Sequence, residues 1–164
     1  MGVGMKHLKI ASPEVLKRTF RYDPETGYLY DLNKVCGYKD THGHLKIYFR
    51  GCAFQAHRLV WVMHNGPIEG GLFIDHINGK RDDNRIENLR LATNTQNLWN
   101  AHGPSKNNKS GFKGVNWDKV YNKWKASISA NGKRHHLGYF SNPEDAGEAY
   151  RKAAKELHGD FASS

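Results

Sequence analysis

Residues 73–97 read FIDHINGKRDDNRIENLRLATNTQN, and their division into elements decides the fold. Leu72 to Ile77 sets an apolar frame around Asp75-His76 and predicts a strand. Asn78-Gly79 is a turn signal, and Leu89 to Ala92 predicts the short strand that returns. Thr93-Asn94-Thr95-Gln96 has the capping-box spacing that opens a helix near 94–102. A hairpin and a helix would then carry an acid and an imidazole on one strand, with Asn84, Asn88 and Asn97 following. Neighbouring residues on a strand point to opposite faces, so Asp75 and His76 cannot serve the same purpose. One can hold a cation while the other faces a water, and Asn97 near the helix start is well placed as a second ligand. Oxygen ligands from Asp and Asn favour magnesium or manganese over zinc. A neutral histidine near its own pKa can take a proton from water. Together these are the parts that a one-metal phosphodiester hydrolase requires.

The rest of the chain tells what such a site would act on. Its 164 residues hold one medium domain or two small ones. A hydrophobic content of 38% allows cores, but small ones. The formal net charge of +9 points first to a polyanionic partner, nucleic acid before an anionic membrane. That charge is uneven: residues 1–66 carry ten Lys/Arg against five Asp/Glu, residues 67–103 four against five, and residues 104–164 eleven against six. A near-neutral centre between basic flanks suits carboxylates kept for a metal between two DNA-gripping parts. No apolar run approaches the ~18 residues of a membrane span. The start, MGVGMKHLKI, lacks a signal-peptide centre and the Ser or Thr of a myristoylation signal after Gly2. Cys36 and Cys52 fit a reducing interior better than a disulfide scaffold.

Towards the amino terminus, Ser12-Pro13-Glu14 opens a short helix over 12–20. Tyr22 to Tyr28 reads as a strand, a turn and a return strand. His44 to Phe49 alternates, Arg50-Gly51 turns, and Cys52 to Ala56 completes a hairpin. Arg58 to His64 (RLVWVMH) is uniformly apolar enough for a buried helix, stopped by Asn65-Gly66-Pro67. Towards the carboxy terminus, Gly103 to Gly111 has a linker's composition. Strands are expected over 112–118, 122–130 and 134–140, with a hairpin turn at Asn131-Gly132. Asn142-Pro143-Glu144-Asp145 starts a helix, and Ala146, Ala149, Tyr150, Ala153, Ala154 and Leu157 make its apolar stripe.

The segment from about His57 to Asn97 resembles an HNH endonuclease of the phage and intron homing type. AHRLVW, GPI, IDHINGKRDDNRIENLR and QN stand in family order. The resemblance implies an α+β fold with a ββα-metal core at about 72–102, a β-rich amino-terminal part, and one divalent metal, Mg2+ or Mn2+. It makes Asp75 a metal ligand, His76 the general base, Asn88 the residue that bonds backbone and holds the histidine, and Asn97 the second metal ligand. Asn97 stands where many members have their last His, a variant that homing members share. His102 is the runner-up ligand, and Asn84 braces the loop.

The stretch FKGVNWDKVYNKWKASISANGKRHHLGYFSNPEDAGEAYRKAAKELHGDFA resembles the plant Apetala2/ethylene-response-factor DNA-binding domain. Gly114-Val115, Trp124, Ile128, Leu137-Gly138-Tyr139-Phe140, Ala149-Tyr150 and Leu157-His158-Gly159 carry the likeness. It implies a three-stranded antiparallel sheet packed on one helix, with the sheet reading double-stranded DNA. Alternation puts Lys125, Ser127, Ser129, Arg134 and His136 on a non-apolar face, and Lys113 and Asn116 match positions where the family uses arginine. The family's arginines are thinned here, so its plant target sequence does not carry over.

The expected organisation is an HNH domain over 1–103, a linker over 104–111 and a DNA-binding domain over 112–164. The expected function is metal-dependent DNA cleavage, by nicking or double-strand cutting, in the cytoplasm of a phage-infected bacterium. A non-catalytic DNA-binding regulator is the rival, and an RNA-directed nuclease the third reading. Cys36, His42, His44 and Cys52 lack the spacing of a zinc site. His57 and Trp61 read as parts of a core.

Overall fold

The computed structural model describes residues 11–101 and 103–162, so His102 and the start containing Gly2 lie outside the described residues. The chain forms two compact units, residues 1–94 and 95–164. Both are α+β, built from small antiparallel sheets and a few helices.

In the first unit, α1 (Pro13–Thr19) leads into the three-stranded sheet of β1 (Arg21–Tyr22), β2 (Leu29–Asp31) and β3 (Lys34–Val35). A second sheet joins β4 (Tyr38–Lys39), β5 (Leu45–Phe49) and β6 (Cys52–Gln55). The short strands β3 and β4 carry no alternating apolar pattern, and sequence reading passes over them. Helix α2 (Ala56–Asn65) follows β6 directly, and β7 (Phe73–His76) pairs antiparallel with β8 (Leu89–Ala92). Leu16, Leu29, Ile47, Leu59, Val60, Met63, Ile74 and Leu89 form one core. Both helices and all three sheets thus contribute to that core. Burying each such side chain contributes about 1.5–3 kcal/mol, which anchors α2 against the β7–β8 hairpin.

The turn at Asn78-Gly79 does not close a two-residue hairpin. Residues 77–88 intervene between the strands, ending in a 3-10 turn at Ile86–Asn88. The polar run KRDDNR cannot extend a half-buried sheet; Asp83 pairs with Arg85 inside the loop, while Arg81 donates to His42 O and Asp82 pairs with Lys39 outside it. Gly27 closes against this loop. Its backbone is left-handed, and a Cβ there would lie 2.4 Å from Arg85 N and Asn84 C. Tyr22 ties the same place: its hydroxyl accepts from Ile86 N at 2.8 Å.

The second unit contains α3, which spans Asn94–Trp99 and falls in it from Thr95 onward, and the sheet β9 (Val115–Asp118), β10 (Lys123–Ala130) and β11 (Lys133–Phe140). Helix α4 (Pro143–His158) is capped by Asn142, whose Oδ1 accepts from Asp145 N at 2.8 Å. Ala146, Tyr150, Ala153 and Ala154 pack on Val115, Ala126 and Ile128, small against small, so helix and sheet approach closely.

Three boundaries differ from the sequence expectation. The split falls at Asn94/Thr95 rather than after 103, because Trp99 stacks on His158 of α4 with ring centres 4.2 Å apart. Residues 112–114 are not strand, since β9 starts at Val115. The second half of the expected linker is folded. Ser110 is buried and donates to Val115 O, and Asn108 Nδ2 donates to Phe112 O and Val115 O. Polar side chains, rather than apolar ones, do the folding there, which is why the composition read as a linker.

Candidate active site

The β7–β8 register sets the site. Asp75 sits opposite Arg90, and His76 opposite Leu89. Ile74, Asp75 and His76 are all buried. Arg90 Nε donates to Asp75 Oδ2 at 2.9 Å, so the carboxylate leaves water with an opposite charge beside it. A carboxylate has two oxygens and about four acceptor directions, so one such contact does not exhaust it.

His76 Nε2 lies 3.0 Å from Asn84 Oδ1, a contact between two buried side chains. In this orientation of the amide, Nε2–H donates to the carbonyl oxygen, and Nδ1 is the basic nitrogen of the ring. Asn84, expected only to brace the loop, is therefore the residue that meets the His76 ring. Asn88, expected to hold the histidine, bonds backbone as anticipated but at the loop ends. Its Oδ1 accepts from Asn78 N, and its Nδ2 donates to Asp83 O and Asn78 Oδ1. Asp83 receives two bonds from the Arg85 guanidinium, which hold its carboxyl well below the usual range. The two asparagines thus divide the work: Asn88 shapes the loop, and the shaped loop aims Asn84.

Two further imidazoles surround His76, and sequence reading missed both. His57, the second residue of α2, sits edge-on to His76 at 4.9 Å between ring centres. His44, just before β5, lies 5.3 Å from His57 and 6.0 Å from His76. Each offers a ligand nitrogen, and the three nitrogens lie within 4.8 Å of one another. The signal was local: β5, β6 and α2 are consecutive, so His44 and His57 begin elements that fold back on each other. Burial pushes all three rings below the ordinary imidazole pKa, His57 farthest, and repulsion from neighbouring rings adds to it at His57 and His44. Asn84 opposes the shift at His76, by less than burial causes it.

His57 gives stability a pH dependence. Its folded pKa is lowered, so below pH ~6.5 the unfolded chain binds a proton that the folded chain refuses. The stabilisation is complete above that pH and is lost as pH falls, at up to about 1.4 kcal/mol per pH unit. Urea midpoints measured from pH 7.5 to 5 are expected to drop in that direction. A flat midpoint would show His57 solvated or charged in the fold.

In the second unit, the register across β10 places Asn116 and Tyr139 beside Lys125, His136 beside Ser127, and Arg134 beside Ser129. Six of the seven expected DNA contacts therefore share one sheet face, a bulge after Ala126 keeping Tyr139 and His136 in phase. Lys125 reaches over the Tyr139 ring, and His136 packs on the same ring. Ser127 is buried and accepts from Arg134 Nε and Nη2, so it supports the arginine rather than reaching outward. Lys113 corrects the expectation outright. Its half-buried ammonium donates to Trp99 O at 2.7 Å and Ala101 O at 2.8 Å, where α3 ends. Carbonyls at a helix end attract a cation, so this lysine is a clamp on α3. Asn97 lies half-buried on α3, in the second unit.

A buried acid and a buried imidazole bonded to Asn84 stand at adjacent strand positions, in a chain whose net charge of +9 suits a polyanionic partner. The chain belongs to the HNH endonuclease family, whose model matches residues 54–98, and it is a DNA endonuclease. It is 42% identical over 108 residues to Protein 3.8 of Escherichia phage T7, a match covering 66% of this chain and 88% of that protein. It is 34% identical over 110 residues to the uncharacterized HNH endonuclease L560 of Acanthamoeba polyphaga mimivirus, covering 66% of this chain and 56% of that one. Among solved structures, it is similar to the HNH homing endonuclease I-HmuI, solved in a study of DNA binding and cleavage. That match has a TM-score of 0.45 and 23% identity, over 89% of this chain and 80% of that one.

Proposed function

We propose that this chain cuts double-stranded DNA as a metal-dependent nuclease of the homing type, with His76 as general base and Asp75 and Asn97 holding one Mg2+ or Mn2+. The observation that carries the reading is the His76–Asn84 contact, because it leaves Nδ1 as the proton-accepting nitrogen of a ring that burial keeps neutral. A water lined up with the scissile P–O bond gives its proton to His76 Nδ1 as it attacks phosphorus. Asn84 Oδ1 accepts from Nε2–H before and after that transfer, so the imidazolium forms without turning the ring. The carboxylate and amide oxygens of Asp75 and Asn97 are the donor set that a hard cation prefers. When bound there, it would neutralise phosphate charge and ease departure of the 3′ oxygen. Arg90, beside Asp75, orients the carboxylate. Asn88 serves catalysis through the loop that it closes.

DNA is gripped by the carboxy-terminal sheet in the manner of an Apetala2/ethylene-response-factor domain. Asn116, Lys125, Ser129, Arg134 and His136 face the duplex, and Ser127 steadies Arg134. Among the described residues no helix is long and apolar enough to cross a membrane. The setting that fits the reading is the cytoplasm of a phage-infected bacterium.

Supercoiled plasmid incubated with the protein and Mg2+ or Mn2+ is expected to become nicked or linear, and to stay intact in EDTA. Cutting in EDTA at the same rate would remove the metal from the account. Nicked product alone would mark a single centre cutting one strand at a time.

A further inference from the structure

We propose that His44, His57 and His76 form a second metal site, selective for a cation of the zinc class, and that filling it switches the nuclease off. Imidazole nitrogens suit zinc, cobalt, nickel and copper, whereas magnesium prefers oxygen. This donor set is thus chemically distinct from the Asp75 and Asn97 oxygens. The three ligand nitrogens already lie within 4.8 Å of one another. Bound to one tetrahedral ion at 2.0–2.1 Å they would stand about 3.3 Å apart, so modest ring rotation closes the site. His44, the more exposed ring, has the room to make it.

A second observation points to a ligand. His57 is only 4% exposed, yet its Nδ1 has no hydrogen-bond partner among the described residues. A buried polar atom left so is costly, and coordination would satisfy it. The supports are those of a built site. His57 is fixed by a helix in the core, His76 by a sheet, and the Asn84 bond orients the His76 ring as outer-sphere partners of metal-bound histidines do. His76 gives one ring nitrogen to the cluster, and a ring held by the ion cannot turn freely to take the proton in the reaction proposed above, so a zinc-class ion and the attacking water compete for the same side chain. Three protein ligands leave a fourth position open to water.

The binding half stands without the nuclease reading, whereas the inhibition half rests on it. Tag-free, EDTA-stripped protein without DNA is titrated with Co2+ and read by visible absorption. One equivalent is expected to give the intense bands of four-coordinate cobalt, and one equivalent of Zn2+ to remove them. His44→Gln, at the half-exposed ligand, is expected to weaken Co2+ binding by about tenfold or more with an unchanged circular dichroism spectrum. No such bands at several equivalents, or equal affinity in His44→Gln, would overturn the site. Plasmid nicking in Mg2+ is then titrated with Zn2+, each variant scaled to its own zinc-free rate. Inhibition of the wild type near one equivalent, requiring about tenfold more zinc in His44→Gln, upholds the switch. Full activity at saturating zinc overturns the switch alone. No nicking with either Mg2+ or Mn2+, beside normal cobalt bands, overturns the switch and the proposed metal-dependent cutting but upholds the site.

Discussion

His76→Ala is expected to lose about 10²–10⁴-fold in single-turnover DNA cutting while binding the same duplex as tightly as the wild type. The loss is large because no other group replaces the ring at that place. His57 is buried with its pKa far down, and burial lowers His44 as well. Among the described residues neither is bonded to an amide side chain as His76 is to Asn84. Binding should survive, since the proposed grip lies on Lys125, Arg134 and their neighbours in the other unit. Cleavage of a labelled duplex and its mobility shift, measured on one preparation, separate the two effects. Equal cutting by mutant and wild type would sink the assignment of the base.

Gly27→Ala, far from Asp75 and His76 in sequence, is expected to cost about 2–5 kcal/mol and to take most of the activity with it. The added methyl would lie 2.4 Å from the backbone where Asn84 joins Arg85, at a left-handed backbone position. Backbone cannot swing aside as a side chain can. The loop must then retreat, and Asn84 Oδ1 moves off His76 Nε2. Thermal melting is expected to fall by about 5 °C or more, with the cutting rate falling further than the melting explains. Wild-type melting and cutting in Gly27→Ala would mean that this hairpin turn does not hold the loop.

Much of this architecture was written locally. The α2 helix, the β7 and β8 strands, the β10–β11 hairpin and the capped α4 follow from apolar spacing, turn residues and Asn142-Pro143, and they appear close to their expected bounds. Asp75 and His76 stood out because an adjacent acid and imidazole on a strand have few bland uses. What escaped depends on which loop reaches which ring. Asn84 and Asn88 are the same residue type four positions apart in one irregular loop, and only the closed loop shows which one meets His76. His57 looked like core because it is core by burial. Its approach to His44 and His76 needs three elements packed together. Lys113 failed in the opposite direction: a lysine beside a basic sheet looks like a phosphate contact until the carbonyls of α3 end at its ammonium.

The central claim is that a buried, neutral His76, aimed by Asn84, takes the proton from water. The pH dependence of the single-turnover cutting rate tests it most directly, measured for the wild type and for the residual activity of His76→Ala. The wild-type rate is expected to hold as pH falls through 6.5, the ordinary imidazole value, and to drop only below it, because burial keeps the ring unprotonated. His76→Ala should lack that acid limb. An acid limb at the same pH in both proteins would place the proton acceptor elsewhere and contradict the account.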